Sequence, residues 1–203
     1  MKVIGLVGGI ASGKSLVARQ LVELGAGLLD GDRAGHEVLR LPELIREVRH
    51  RWGEGVLTDD GQVDRKALAA IVFAPPPDGP PELAALERLS HPRILEKLKA
   101  DIERFEREGK QIAVLDAPVM EKAGWGKLCS EIWYVEAPRE LRLARARTRG
   151  WSDEEFRSRE DSQEPLDLKR KRANRIIPNA GSEQETRTHV LRAWTLLQGS
   201  PSG

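Results

Sequence analysis

GGIASGKS, residues 8–15, fits the pattern G-x-x-x-x-G-K-[ST] and follows the apolar run Val3-Ile4-Gly5-Leu6-Val7 with no residue between them. A strand running straight into a glycine-rich turn and then a helix points several backbone N–H groups at one spot. The helix adds its positive N-terminal end there. That arrangement suits a polyphosphate. Gly8 and Gly13 are the positions where a side chain obstructs the turn, Lys14 reaches the β- and γ-phosphates, and the Ser15 hydroxyl supplies one ligand of an octahedral Mg²⁺. The residues expected to touch a nucleotide are Gly8, Gly9, Ile10, Ala11, Ser12, Gly13, Lys14, Ser15 and Leu16.

Outward from the loop, continuous apolar runs alternate with helical periodicity, the pattern of βαβ units around a parallel sheet covered on both faces. The runs predict strands at 3–7, 27–30, 112–116, 131–135 and 175–178. Val17, Leu21 and Leu24 recur at helical spacing before Gly25, which predicts a helix over 14–24. Pro42 opens an amphipathic stretch carrying Leu44, Ile45, Val48 and Trp52, and Asp64 is placed to cap a helix over 65–73. Pro75-Pro76-Pro77-Asp78-Gly79-Pro80-Pro81 reads as a stiff surface loop before a long charged helix over 82–108, bent at Pro92. Ser152 with Glu155, and Ser182 with Glu185, form capping boxes.

Composition narrows the function classes. The 203 residues suffice for one domain with a small appended lid or subdomain. Lys and Arg total 33 against 32 for Asp and Glu, so the net charge of +1 provides no global field for nucleic acid or an anionic membrane. No run approaches the roughly 20 apolar residues of a membrane span. The lone Cys129 cannot form an intrachain disulfide and is expected to be buried and inert. A cytoplasmic setting is expected, with no secretory leader, because the apolar stretch after Lys2 is short and ends in the glycine-rich loop. A monomer is expected, with oligomers left open. No N-K-x-D guanine-reading motif is present, which disfavours a GTPase, and the scarcity of aromatic residues disfavours a nucleic-acid motor.

Asp30 and Asp32 fall at the C-terminal end of the second strand, the ligand-binding edge of a parallel sheet. One of them is either the base that takes a proton from an attacking hydroxyl or the cap of the helix beginning at Arg33. Asp116 ends the third strand at the same edge, as either an orienter of a metal-bound water or a turn-former before Pro118. Arg142, Arg145 and Arg149 share one helix face, fit for phosphate or for solvent. The run Lys169-Arg170-Lys171-Arg172 is either a solvated face or a phosphate-facing lid, and His91 is either a helix-boundary residue or a ligand.

Over essentially the whole chain, the order GGIASGKS, LLDGDRAGHEVL, RWGEGVLTDDGQVDRKALAAIVF, LSHPRILEKL, VLDAPVMEKAGW and IIPNAGS resembles dephospho-coenzyme A kinase. This is a family in the nucleoside-monophosphate-kinase branch of P-loop proteins. The resemblance implies an α/β P-loop fold: a five-stranded parallel sheet flanked by helices, a helical CoA-binding subdomain at about 33–108, and a lid at about 139–173. It implies ATP and dephospho-CoA as substrates, Mg²⁺ as cofactor, and phosphorylation of the ribose 3′-hydroxyl. It carries the role of general base onto Asp32, neutralisation of the transferred phosphoryl group onto Arg145 and Arg149, and adenine contact onto the loop at Asn179. Ala11 replaces a family glycine at a position expected to be unconstrained. His36 and Leu95 stand where the family commonly has arginine, and Lys122 where it has a glutamate.

Overall fold

The computed structural model describes residues 1–199. Its strands are β1 (Lys2–Val7), β2 (Gly27–Asp30), β3 (Ile112–Asp116), β4 (Glu131–Glu136) and β5 (Arg175–Pro178). They form one sheet in the order β2-β3-β1-β4-β5. β1 lies parallel between β3 and β4, with Val3 beside Ala113 and Leu6 beside Trp133, and β4 pairs parallel with β5. The runs of β1, β3 and β4 are apolar without alternation because both faces of the central sheet are covered, whereas the edge strands β2 and β5 are only partly buried.

The helices are α1 (Lys14–Glu23), α2 (Gly31–Val38), α3 (Pro42–Trp52), α4 (Arg65–Val72), α5 (Gly79–Arg107), α6 (Arg139–Thr148), α7 (Asp153–Asp161), α8 (Leu166–Arg172) and α9 (Glu183–Gly199). Among the described residues no helix is long and apolar enough to cross a membrane.

The chain divides into two compact units, Met1–Leu29 with Arg104–Gly203, and Asp30–Glu103. In the first, one face of the sheet packs Ile4, Leu6, Val114, Trp133, Val135 and Ile177 against Val17 and Leu21 of α1 and Val190, Trp194 and Leu197 of α9. Such a side chain contributes about 1.5–3 kcal/mol when fully buried, so this layer holds the loop between β1 and α1 in a fixed frame. Phe105 lies so close to Gly27 that a Cβ there would come within 2.4 Å of its ring. Cys129 is half-buried rather than buried, with its Sγ 3.8 Å from Met120 Sδ. Burial pushes its thiol up to about 12.

The second unit is helical. Val38, Leu44, Val48, Leu68, Ala85, Ile94 and Leu98 are buried in it. Glu82 on α5 receives both Arg51 Nε and Nη2 at 2.9 Å and Trp52 Nε1 at 2.7 Å from α3. Asp64 caps α4 by accepting from the backbone N–H groups of Lys66 and Ala67. Two expectations need correction here. The proline-rich loop is shorter than expected, because α5 begins at Gly79 and takes Pro80 and Pro81 into its first turn, where the missing N–H groups have no helical partner to lose. α5 also runs through Pro92, so His91 sits inside a helix and not at a boundary.

Candidate active site

The loop between β1 and α1 owes its shape to three glycines and a set of braces. Gly8 has φ 154°, and a Cβ on it would meet the Val135 carbonyl oxygen at 2.6 Å. Gly13 caps α1 at φ 98° and ψ 27°, with Asn179 Nδ2 2.1 Å from where a Cβ would stand. Gly9 has no backbone need for glycine, but a side chain there would strike the Arg142 guanidinium at 2.8 Å. The fourth special position is Ala11, which has φ 58°. The expectation that it is unconstrained is therefore wrong: a non-glycine residue in the left-handed region costs roughly 1–2 kcal/mol. Its methyl group is buried with Ala146 of α6 and Phe156 of α7, which offsets part of that cost.

Three side chains from distant segments hold loop carbonyls from outside. Asn179 Nδ2 donates to the Ser12 carbonyl at 2.6 Å, Arg145 Nη1 donates to the same oxygen at 3.1 Å, and Arg142 Nη1 donates to the Ile10 carbonyl at 3.4 Å. In a planar trans peptide the C=O and the following N–H point opposite ways. Pinning the carbonyls of Ile10 and Ser12 outward therefore turns the N–H groups of Ala11 and Gly13 the other way, as an anion nest requires. Arg145 Nη2 also donates to the Asn179 carbonyl at 2.9 Å, and Thr186 Oγ1 donates to Asn179 Oδ1 at 2.8 Å. Arg142 is 3% exposed and pairs with Glu160 of α7 at 2.7 Å, tying α6 and α7 to the loop.

The electrostatics point to an anion. Lys14 donates to the Gly8 carbonyl at 3.5 Å. Burial holds its ammonium below the ordinary lysine range, and the nearby Lys169, Arg149 and Arg142 push the same way, while Asp116 opposes them. The Ser12 Oγ is buried with no hydrogen-bond partner among the described residues. Ser15 is exposed in the first turn of α1. The Ser15 hydroxyl and the Asp116 carboxylate are hard oxygen donors, and Asp116 is close enough to Lys14 to act on its charge, so this donor set fits Mg²⁺.

Of the expected site residues, those at 8–16, Asp116, Arg145, Arg149 and Asn179 belong to the first unit. Arg149 is exposed at the C-cap of α6. Arg145 and the Asn179 side chain are engaged with the backbone of the loop and with Thr186. Asp30 and Asp32 belong to the second unit. Asp30 caps α2 by accepting from the Arg33 N–H at 2.9 Å, and Asp32 is exposed in the first turn of that helix. The basic run splits: Arg170 pairs with Glu136, Arg172 with Glu121 and Glu164, and Lys169 is buried. Thr186 and Glu121 escaped sequence reasoning, and the run containing Lys169 carries no sign of which of its cations is buried. The spacing of Arg142 with Arg145 and Arg149 was a usable signal for that residue alone.

In the second unit, an open groove of about 830 Å³ runs between α2, the start of α3 and α5. It is lined by Val38, Leu41, Pro92 and Leu95, with Glu43 and Glu96 also on its walls and with Arg93 paired to Glu47 and Lys97 to Glu37 at its side.

The model of the dephospho-CoA kinase family matches residues 2–185. A dephospho-CoA kinase of Symbiobacterium thermophilum is 40% identical over 206 residues, covering 100% of this chain and 84% of the relative. One from Carboxydothermus hydrogenoformans is 38% identical over 98% of this chain and 94% of its own. The crystal structure of TT1252 from Thermus thermophilus superposes with a TM-score of 0.82 at 33% identity, covering 98% of both chains. A shikimate kinase from Acinetobacter baumannii, at a TM-score of 0.53 and 19% identity over 98% of this chain and 93% of its own, shares the fold.

Proposed function

The chain belongs to the dephospho-CoA kinase family, and from that premise we propose how its residues divide the reaction. It is an ATP-dependent kinase that phosphorylates the ribose 3′-hydroxyl of dephospho-CoA to give coenzyme A, the final step of CoA synthesis. The observation that carries the site assignment is the loop whose carbonyls are held outward by Asn179, Arg145 and Arg142.

In this reading the amides of residues 8–16 bind the phosphates of ATP, and Lys14 lies along the β- and γ-phosphates, which restores the charge that burial disfavours. Ser15 and Asp116 hold Mg²⁺, directly or through water, and the ion when bound neutralises charge on the β- and γ-oxygens. Arg149, exposed at the C-cap of α6, is the lid cation that meets the transferred phosphoryl group. Arg145 acts through the loop it braces and is a positioning residue. The exposed backbone that follows Asn179, at Ala180 and Gly181, faces adenine, since the Asn179 N–H and carbonyl are taken by Glu136 and Arg145.

The acceptor belongs to the second unit. Asp32 takes the proton of the 3′-hydroxyl as its oxygen attacks phosphorus, supported by the division of labour in which Asp30 alone caps α2. The groove beside Leu95 suits an amphipathic arm, with apolar walls and a rim on which the cations of Arg93 and Lys97 alternate with the carboxylates of Glu37, Glu43 and Glu96. A monomer in the cytoplasm is the setting we propose for this chemistry.

The test is an acceptor panel with ATP and Mg²⁺, containing dephospho-CoA, adenosine, AMP and shikimate, read by ADP release and by the mass of the product. Dephospho-CoA alone should gain one phosphate. Turnover with another acceptor and none with dephospho-CoA would overturn the substrate assignment.

A further inference from the structure

Within Lys169-Arg170-Lys171-Arg172, the first residue differs from its neighbours. Lys169 is 7% exposed, whereas Arg170, Lys171 and Arg172 are exposed. α8 spans Leu166–Arg172, and the Lys169 ammonium points away from solvent into a small cavity that Lys14, Gly8, Gln163 and Glu121 also line. Its carboxylate neighbour is a poor match. Glu121 Oε2 is 3.7 Å away, beyond hydrogen-bonding reach, while Glu121 Oε1 is already taken by Arg172 at 2.7 Å. A buried ammonium is expensive unless it is paired and hydrogen-bonded. A lysine held this way beside Lys14, which is half-buried and shares the same cavity, calls for an anion that both can share.

The cavity measures about 20 Å³. One water-sized oxygen needs roughly 10–15 Å³, so the space between the two lysines accepts a single oxygen atom and not a whole phosphoryl group. Its position beside Gly8 and Lys14 puts that oxygen at the β–γ side of a bound triphosphate, if the loop is the ATP site as proposed above.

We propose that Lys169 is a second phosphate-binding lysine, presented by α8 to an oxygen of the transferred phosphoryl group, with Glu121 as the counter-ion it leaves when ATP arrives. In the transfer, the bond from the γ-phosphorus to the β–γ bridging oxygen breaks and its electron pair departs with ADP. The bond from the acceptor oxygen to phosphorus forms, and the acceptor proton goes to the carboxylate base. Lys169 exchanges no proton. It stabilises negative charge on the phosphoryl oxygens, which is where a preorganised cation lowers the barrier.

The measurement is equilibrium binding of fluorescent ATP and fluorescent ADP, with Mg²⁺, to the full chain and its variants. No acceptor is needed, so wild-type protein that failed to bind ATP would sink the reading of the loop, a result separate from failure of this inference. K169M should weaken ATP about tenfold and leave ADP within about twofold, because only ATP carries the oxygen at issue. It should also lower turnover on the order of 10²-fold, with K169R recovering part of the loss. E121Q keeps the lysine and removes its competitor, so it should favour ATP over ADP by a further threefold or more. This variant decides the matter if K169M does not fold. An ATP-to-ADP preference unchanged in E121Q and in any folded K169M, or ATP and ADP weakened equally, would overturn the proposal and leave Lys169 a structural partner of Glu121.

Discussion

Asn179 Nδ2 donates to the Ser12 carbonyl oxygen at 2.6 Å across 167 residues of chain. The bond fixes the peptide between Ser12 and Gly13, and with it the direction of the Gly13 N–H at the start of α1. The amide is itself fixed, since Thr186 Oγ1 donates to Asn179 Oδ1. Asn179→Ala leaves the buried Thr186 hydroxyl with one acceptor fewer and the Ser12 carbonyl with Arg145 alone. A loss of about 1–3 kcal/mol in stability is expected from removing one partner of a buried hydrogen bond, together with roughly tenfold weaker ATP binding. Chemical unfolding and nucleotide titration would measure both. ATP affinity unchanged in the folded variant would refute the brace.

Arg145 makes the same kind of contact with two terminal nitrogens, on Ser12 and Asn179. A residue that shapes the loop supports ground state and transition state alike, so Arg145→Ala should weaken ATP binding and raise the KM for ATP about tenfold while kcat stays within about twofold of wild type. Arg145→Lys should recover little, because one ammonium lacks the planar fork that spans two carbonyls. A loss confined to kcat would instead mean that the guanidinium touches the reacting phosphoryl group.

How far these contacts were legible in the sequence depends on their range. The central strands were legible because strands buried on both faces are written as unbroken apolar runs, as in Ile112-Ala113-Val114-Leu115, and the edge strands β2 and β5 from short apolar pairs, Leu28-Leu29 and Ile176-Ile177. The glycine-rich loop was legible because its chemistry is local. The sheet order and the brace were not, since Ser12 and Asn179 are brought together only by packing of the sheet and α9. Lys169 was hidden for another reason: in a run of four cations, one-dimensional pattern cannot say which one turns inward. Ala11 misled because alanine carries no sign of the left-handed backbone that the turn imposes on it.

That strain gives the next prediction. At φ 58° Ala11 costs roughly 1–2 kcal/mol, while burying its methyl against Ala146 and Phe156 returns about 0.8 kcal/mol. Burial offsets part of the strain and leaves roughly 0.2–1.2 kcal/mol, so Ala11→Gly should stabilise the fold by about 1 kcal/mol or less. Ala11→Val adds β-branching to a left-handed backbone in a packed site, and should cost more than about 2 kcal/mol. Thermal unfolding of the pair tests this. A valine variant as stable as wild type would show that the position is unconstrained after all.

Cys129 offers a pH-dependent test. Burial pushes its thiol up to about 12, whereas an unfolded thiol titrates near about 8.5. The folded state thus favours the protonated form. The resulting stability is fully present below the unfolded value and is lost as pH rises from there through the folded value. At pH 8 the folded chain should hold on the order of 10³ less thiolate than the unfolded chain. Iodoacetamide labelling followed by mass should therefore be slow in buffer and fast in urea. Equal rates would mean that the thiol is not shielded.

The base is the assignment on which the acceptor chemistry turns, and α2 separates its two candidates. Asp30 has a structural task, accepting the Arg33 N–H at 2.9 Å as N-cap. Asp32 is exposed one position inside the helix. Asparagine is as good a cap as aspartate, so Asp30→Asn should cost only a few tenths of a kcal/mol in stability and little activity. Asp32→Asn keeps the size of the side chain and removes its capacity to take a proton. It should bind ATP and dephospho-CoA within about twofold of wild type and transfer phosphate on the order of 10²–10⁴ times more slowly, the usual range for a positioned base. Single-turnover phosphorylation of dephospho-CoA, with binding measured separately, distinguishes the variants. Phosphoryl transfer through a loose transition state asks less of a base, so a loss below about tenfold in Asp32→Asn would reduce its role to orienting the hydroxyl. A larger defect in Asp30→Asn than in Asp32→Asn would reverse the assignment and make the capping residue the one that meets the acceptor.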